Sequence, residues 1–161
     1  MSKGEKIVLY LDIDGVFLHR TGRLTRTGYA EFEISLGAEE FLLWATERFD
    51  CYWLSARSAS GSREGVERAF RHASPATMTS RSFAALVQRI TPCPWEASKI
   101  TGIDRRRSFL WVDDDPDTAS VAALEASGQQ DSLIVVSVDA DKGLLGKLPD
   151  MILNRLESTV S

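Results

Sequence analysis

Three short apolar runs in the sequence each end in side chains that can bind a metal ion, transfer a proton or donate a hydrogen bond. The first run is followed by D-I-D-G from Asp12, the second by S-A-R from Ser55, and the third by D-D-D-P-D from Asp113. In open α/β sheets, ligands bind beyond the carboxyl ends of the strands, and parallel strands bring those ends to one edge. We therefore expect the three groups to meet in one site.

Crowding of acidic residues at that edge predicts a bound cation. Asp12, Asp14, Asp113 and Asp114 would lie close together, and two carboxylates ~4 Å apart repel by about 4 kcal/mol at an effective dielectric constant of about 20. Such a cluster requires either raised pKa values or a cation. Because the cluster offers only oxygen ligands, a hard ion is favoured, Mg²⁺ before Ca²⁺. Mg²⁺ would also offset the repulsion between an anionic phosphate and a carboxylate nucleophile.

The pattern of the whole chain predicts the fold that would position these groups. Short apolar runs rich in β-branched and aromatic residues are typical of strands buried on both faces; they are 7–11, 51–54, 109–112 and 133–138, with a weaker candidate at 76–79. Helical periodicity predicts helices at 39–49, 62–73, 82–90, 117–127 and 148–156. The alternation predicts a three-layer, doubly wound, Rossmann-like α/β fold, with a mostly parallel sheet and helices on both faces.

One segment interrupts the alternation of strands and helices. Residues 19–35 contain turn residues at Gly22 and Gly28, and polar and apolar side chains alternate over 29–34. This pattern predicts a small antiparallel hairpin that follows the first strand and projects over its carboxyl end as a flap. Arginines on this hairpin could meet an anionic substrate, although a solvated face is the favoured interpretation. We expect His19 to lie on the surface.

Composition narrows the class of protein. The 161 residues suit one domain spanning 1–161, and the formal net charge of −4 gives no reason to expect nonspecific binding to nucleic acid. Cys51 and Cys93 lie far apart and do not indicate a disulfide scaffold or a zinc site. No apolar run approaches the length of a membrane span, and we expect a cytoplasmic protein. The composition leaves the oligomeric state open.

The order of the motifs resembles a known family. Each motif alone has an ordinary explanation, such as a turn, a helix cap, an acidic helix start or a solvated lysine. Together, D-x-D-G at Asp12, then Ser55, then Lys99, then the acidic pair at Asp113 resemble the haloacid dehalogenase superfamily, in its phosphatase branch and small capless type. The likeness extends over 7–138, and the hydrophobic strand followed by D-I-D-G-V is its most specific part.

The resemblance implies roles for the residues that bind and transform a substrate. Asp12 would be the nucleophile that forms an aspartyl-phosphate, and Asp14 would be the general acid and base. Ser55 would hydrogen-bond a phosphate oxygen, and Lys99 would neutralise the nucleophile and the phosphate. Arg57 follows the serine closely and is the candidate for a further substrate contact.

The resemblance also implies a magnesium site. Asp113 and Asp114 would hold Mg²⁺ together with Asp12 and the main-chain carbonyl of Asp14. The acidic motif of this superfamily occurs either as two adjacent acids or as two acids spaced by three residues. Asp113 belongs to both forms here, so the sequence leaves open whether Asp114 or Asp117 is the second acid. For Asp115 and Asp117, a place among the acids at the start of a helix is the favoured interpretation.

The expected function is that of a magnesium-dependent phosphohydrolase that cleaves a phosphomonoester of unidentified kind. Two alternatives use similar residues. One is a phosphoacceptor signalling domain resembling a response-regulator receiver, although receivers carry the acidic pair on the first strand and the phosphorylated aspartate on the third. The other is a binding module that keeps the fold without catalysis.

Overall fold

The computed structural model of this protein describes residues 4–73 and 80–160. The strands are β1 (Val8–Leu11), β2 (Leu18–Leu24), β3 (Ala30–Ile34), β4 (Asp50–Trp53), β5 (Thr91–Pro92), β6 (Phe109–Asp113) and β7 (Leu133–Val135). The helices are α1 (Ala38–Arg48), α2 (Arg63–Arg71), α3 (Arg81–Arg89), α4 (Thr118–Ala126) and α5 (Leu144–Val160). The candidate strand at 76–79 lies outside the described residues.

Five parallel strands form the main sheet, in the order β5-β4-β1-β6-β7. The chain moves outward from the central β1 to β4 and β5, and then returns across the sheet to β6 and β7. The direction of winding therefore reverses between β1 and β6, which makes the crevice above these two strands the topological switch point of the sheet. The arrangement confirms the predicted α/β class.

The strand register brings the three polar groups to one edge. Leu11, the last residue of β1, lies opposite Trp53 on one side and Val112 on the other. Beyond these pairs the ladder continues through backbone bonds, as the amide of Asp12 donates to the Val112 carbonyl (3.0 Å) and the amide of Leu54 donates to the Leu11 carbonyl (2.8 Å). The residues that follow β1, β4 and β6 consequently start at the same level.

Helices cover both faces of the sheet unequally. Alternate residues of β1 point to opposite faces: Leu9 and Leu11 pack in one apolar cluster, and Val8 and Tyr10 pack in another. The first cluster contains buried residues of α1, α2, α3 and α5. The second contains Leu124 of α4 and residues of the irregular segment 93–103.

The predicted hairpin forms from β2 and β3, which pair antiparallel as a separate two-stranded sheet. His19 is only 8 % exposed, so the expectation that it lies on the surface is wrong. Its Nδ1 lies 3.0 Å from the Ser35 hydroxyl, and its Nε2 lies 3.1 Å from a carboxylate oxygen of Glu33, its cross-strand partner. These contacts satisfy both ring nitrogens and allow the ring to be buried at the base of the hairpin.

Most element bounds agree closely with the sequence-based expectations. The first four helices differ from the predicted bounds by one or two residues at each end, whereas α5 extends four residues further at both ends. Leu144 and Leu145 are buried and continue its apolar face toward the amino end. The two-residue β5 was not predicted, because a short edge strand that contains proline has little pattern of its own.

No helix within residues 4–73 and 80–160 is long and apolar enough to cross a membrane.

An aromatic cluster anchors the loop between β1 and β2. Phe17 is fully buried, and its ring centroid lies 5.7 Å from Phe41, 5.4 Å from Trp53 and 6.5 Å from Phe70. The Phe17 carbonyl also accepts a hydrogen bond from the Ser35 amide (2.8 Å), which joins the loop to the end of β3. The same loop carries the D-x-D-G motif, so this packing fixes the motif to the sheet and to two helices.

Replacement of Phe17 by alanine should destabilise the protein strongly. The change removes three aromatic contacts and leaves a buried cavity, and we expect a loss of about 3–5 kcal/mol in the free energy of unfolding measured by chemical denaturation. Leu36→Ala is the control, since Leu36 is 80 % exposed and its truncation should change stability by about 0.5 kcal/mol or less. Similar losses in the two variants would contradict this role of Phe17.

Candidate functional site

Three carboxylates converge above the switch point of the sheet. Asp12, Asp113 and Asp114 each offer a carboxylate oxygen, and these atoms all lie within 4.8 Å of one another. Asp12 and Asp113 are almost completely buried, while Asp114 is partly exposed. The group could hold a metal ion, and its all-oxygen donor set and partial access to solvent fit a hard divalent cation.

The carboxylate of Asp113 is held from three directions. Its Oδ2 accepts hydrogen bonds from the Lys99 ammonium (2.7 Å) and from the indole N–H of Trp111 (3.1 Å), and its Oδ1 accepts one from the amide of Asp115 (2.9 Å). Trp111 lies two residues before Asp113 on the same strand, so both side chains point to one face of the sheet. Trp111 belongs to the apolar run 109–112, and the sequence pattern did not indicate this contact.

Lys99 joins the two buried acids. It begins a short 3₁₀ turn (Lys99–Gly102), and its ammonium lies 3.3 Å from the carboxylate of Asp12 as well as 2.7 Å from that of Asp113. Only 12 % of its side chain is exposed. Burial lowers the pKa of Lys99, but attraction to Asp12 and Asp113 outweighs burial, so its pKa lies above the ordinary value. The lysine therefore stays charged.

Asp117 positions this lysine and does not join the acidic group. As the N-cap of α4, its side chain accepts hydrogen bonds from the amide (2.9 Å) and hydroxyl (2.7 Å) of Ser120. Its Oδ2 also accepts a bond from the backbone amide of Lys99 (3.1 Å). Of the two acids that the sequence left open, Asp114 belongs to the three-carboxylate group of the described residues.

The carboxylates repel one another without a cation. Burial raises the pKa of Asp12 well above its ordinary value, repulsion from Asp113 raises it further, and Lys99 only partly opposes these effects. Burial likewise raises the pKa of Asp114; a hydrogen bond with Asp12 opposes this rise, and repulsion from Asp113 adds to it. The protein thus crowds carboxylates that favour a proton when no metal is bound, as expected of a group that could hold a cation.

Glycine is required at position 15 by the approach of Asp114. Gly15 has a left-handed backbone conformation (φ +80°), and a Cβ at this position would collide with the Asp114 carboxylate. Its carbonyl accepts a hydrogen bond from the Val138 amide (2.8 Å), which connects the motif to the segment after β7. The glycine of D-x-D-G therefore allows the loops after β1 and β6 to approach closely enough to form the acidic group.

The sequence predicted that Asp14 would crowd with the other three acids, but its carboxylate is not part of the three-carboxylate group of the described residues and pairs with Arg57. The Arg57 guanidinium donates to both carboxylate oxygens of Asp14, over 3.2 and 3.3 Å. Both side chains are more than a third exposed, so the pair lies at the mouth of the site. Arg57 was predicted as a substrate contact; in this structure it occupies the carboxylate that the resemblance makes the general acid.

The Ser55 turn is tightly built. The Ser55 hydroxyl accepts a hydrogen bond from the Arg57 amide (3.1 Å) and caps a short 3₁₀ turn, while the Trp95 indole donates to the Ser55 carbonyl (2.8 Å). Ser55 itself is fully buried. Helix α2 packs directly on this turn, and the approach is so close that a Cβ on Gly65 would collide with the Arg57 carbonyl. These contacts fix the backbone from which Arg57 reaches Asp14.

No protein-family model matches the sequence, and a search of curated proteins finds no relative. The structure itself shows a parallel α/β sheet with an acidic group of three aspartates at its switch point.

Substitution of Asp114 should stabilise the metal-free protein. Since folding raises the pKa values of Asp12 and Asp114 above the ordinary 3.8, the folded state binds protons more tightly than the unfolded state. Their contribution to stability therefore falls as pH rises from about 3.8 through the raised values. We expect Asp114→Asn to reduce this decline and to gain about 0.5 kcal/mol at pH 7, allowing for solvent screening. Thermal denaturation of both proteins in EDTA over a range of pH measures this gain in stability. A variant less stable than the wild type at pH 7 would contradict the prediction.

Substitution of Asp117 tests whether its side chain fixes the backbone of Lys99 through the hydrogen bond from the Lys99 amide. Asp117→Ala removes both the cap and the acceptor, and we expect a loss of about 0.5–2 kcal/mol in stability together with faster hydrogen exchange of the Lys99 amide. Asp117→Asn should keep most of the stability, because its single carbonyl oxygen can still cap Ser120, yet also lose protection at Lys99. An unchanged Lys99 exchange rate in both variants would show that the turn is held by other contacts.

Proposed function

We propose that this protein is a magnesium-dependent phosphohydrolase of the haloacid dehalogenase type, which cleaves a phosphomonoester through an aspartyl-phosphate on Asp12. The observation that carries the proposal is the convergence of Asp12, Asp113, Asp114 and Lys99 at the switch point of the sheet. Three carboxylates and the buried ammonium group of Lys99 at this point suit the transfer of a phosphoryl group to a carboxylate.

The proposed metal is Mg²⁺, held by the carboxylates of Asp12, Asp113 and Asp114 and by the main-chain carbonyl of Asp14. An oxygen-only donor set favours it over softer ions. When bound, Mg²⁺ supplies positive charge that offsets the repulsion between the aspartates and an anionic phosphate. Lys99 already supplies one positive charge to the same group.

In the first proposed step, a carboxylate oxygen of Asp12 attacks phosphorus and the ester P–O bond breaks. The bonding electrons pass to the leaving oxygen, which receives a proton from Asp14. Lys99 and the Ser55 hydroxyl would bind oxygens of the transferred phosphoryl group. Because Ser55 is fully buried, the phosphate can reach this hydroxyl only after neighbouring side chains move.

In the second step, water attacks the phosphorus of the aspartyl-phosphate while Asp14 accepts its proton. The P–O bond to Asp12 breaks, which restores the carboxylate and releases inorganic phosphate. Arg57 donates one hydrogen bond to each oxygen of Asp14 in this structure, and each oxygen keeps a second lone pair for proton transfer. The guanidinium lies next to the proton-transfer group and would contact a substrate bound there.

Strand order weighs against the receiver-like alternative. The parallel strands here have the chain order third, second, first, fourth, fifth across the sheet, whereas receiver domains have the flavodoxin-like order second, first, third, fourth, fifth.

The contact of Lys99 with both buried aspartates weighs against a catalytically silent module, because such a module has no need of this buried ion pair.

Hydrolysis of p-nitrophenyl phosphate tests the proposal. We expect turnover with Mg²⁺, loss of turnover in EDTA, and a decrease of about 10³-fold or more in kcat for Asp12→Asn, which removes the nucleophile. Asp115→Asn is the matched control: Asp115 lies in the same acidic run but is exposed and outside the three-carboxylate group, so its change should alter kcat by about threefold or less.

Undiminished turnover by Asp12→Asn, or equal turnover with and without the metal, would contradict the proposal. Stable phosphorylation of Asp12 by acetyl phosphate, without turnover of any ester, would favour the receiver-like function instead.

A further inference from the structure

A cleft of about 820 Å³ lies between the hairpin and α2. That volume is typical of sites that enclose a molecule of nucleotide size. The hairpin side of the cleft includes Thr25, Tyr29 and Phe32, and the opposite side includes Arg68 and Ala69 of α2. In the proposed function, the acidic group and Lys99 contact only the phosphoryl group. The cleft is lined by other residues and is therefore a candidate site for the rest of the substrate.

Arg57 connects this cleft to the catalytic residues. It lines the cleft, and its guanidinium donates to both oxygens of Asp14. In the proposed hydrolysis the leaving group departs on the side away from Asp12 and takes its proton from Asp14. A leaving group that lies next to Asp14 therefore extends toward Arg57 and into the cleft.

The two sides of the cleft differ in chemistry. Tyr29 is 73 % exposed and offers an aromatic ring on the hairpin side. On α2, Arg68 bonds Glu64 four residues earlier (2.6 Å), and both side chains are more than half exposed. Such surface pairs contribute little, so Arg68 can exchange Glu64 for an anionic ligand at small cost.

The acidic residue that lines the cleft, Glu31, is already paired within the hairpin. Glu31 belongs to the lining, but its carboxylate accepts hydrogen bonds from the Thr21 hydroxyl (2.7 Å) and from Arg23 (3.1 Å) within the hairpin. The side of the cleft formed by α2 thus carries the positive charge of Arg68. An aromatic side opposite a cationic side suits a flat aromatic group that carries a further negative charge.

We propose that this cleft binds the leaving group of the substrate, and that the substrate is a nucleotide bearing a second phosphate. The base lies against Tyr29, the second phosphate pairs with Arg68, and the phosphate to be cleaved meets Asp12. A free nucleoside bisphosphate and the phosphorylated end of an oligonucleotide share this chemistry. The inference rests on the proposed phosphohydrolase function and names its substrate class.

The test compares kcat/KM for adenosine 3′,5′-bisphosphate, for a short 5′-phosphorylated oligonucleotide and for glycerol phosphate, all with Mg²⁺. We expect at least one nucleotide substrate to exceed glycerol phosphate by about tenfold or more. Arg68→Ala should lower the ratio of nucleotide to glycerol phosphate kcat/KM by about tenfold. Arg71→Ala is the matched control, because Arg71 lies on the same helix in the groove against α3 and should leave the ratio unchanged.

Tyr29→Ala tests the aromatic side in the same way. It should lower the same ratio by about fivefold or more, while Leu36→Ala, another exposed apolar residue outside the cleft, should leave it unchanged. If the oligonucleotide far exceeds the free bisphosphate, the source of the substrate is a nucleic-acid end; comparable values indicate a free nucleotide. Either result supports the inference.

Several results would overturn it while leaving the proposed function intact: equal use of glycerol phosphate and nucleotides, a ratio that Arg68→Ala does not change, or a preference for a phosphotyrosine peptide. If no ester is hydrolysed, the proposed function fails, and calorimetry with adenosine 3′,5′-bisphosphate tests the cleft alone. Binding that Arg68→Ala weakens about tenfold would support the cleft, and no binding would overturn it.

Discussion

Electrostatic repulsion among the carboxylates of Asp12, Asp113 and Asp114 is the constraint on which the rest of this site depends. One oxygen of each lies within 4.8 Å of the others, and burial together with repulsion from Asp113 raises the pKa values of Asp12 and Asp114. Lys99 supplies one positive charge against this group. A fold that only needed stability would separate these acids, and their convergence forms a group that could hold a further cation.

Several ordinary structural devices hold the acids in place against that repulsion. Gly15 leaves room for Asp114, because any side chain there would collide with its carboxylate. Trp111 donates to Asp113 from the same strand face, and Asp117 ties the backbone of Lys99 to the start of α4. These devices lie in the loop directly after β1, within β6 and at the N-cap of α4, so packed and hydrogen-bonded segments next to the sheet set the positions of the charged groups.

Much of this arrangement could be predicted from sequence, because the buried strands have strong local patterns and parallel strands necessarily align their carboxyl ends. Contacts between distant side chains could not. The pairing of His19 with Glu33 and of Arg57 with Asp14 depends on tertiary placement, and no local pattern distinguishes these residues from solvated ones. Asp117 was expected at the start of a helix, and it is the N-cap of α4, but its bond to Lys99 joins segments that only the fold brings together.

Calorimetric titration of the metal-free protein with Mg²⁺ tests the central claim most directly, because it measures cation binding without assuming a substrate. The account predicts that the wild type and Asp115→Asn each bind one Mg²⁺ with similar affinity, and that Asp114→Asn binds it at least about tenfold more weakly. Absence of Mg²⁺ uptake by the folded wild-type protein, or equal affinity in all three proteins, would contradict it.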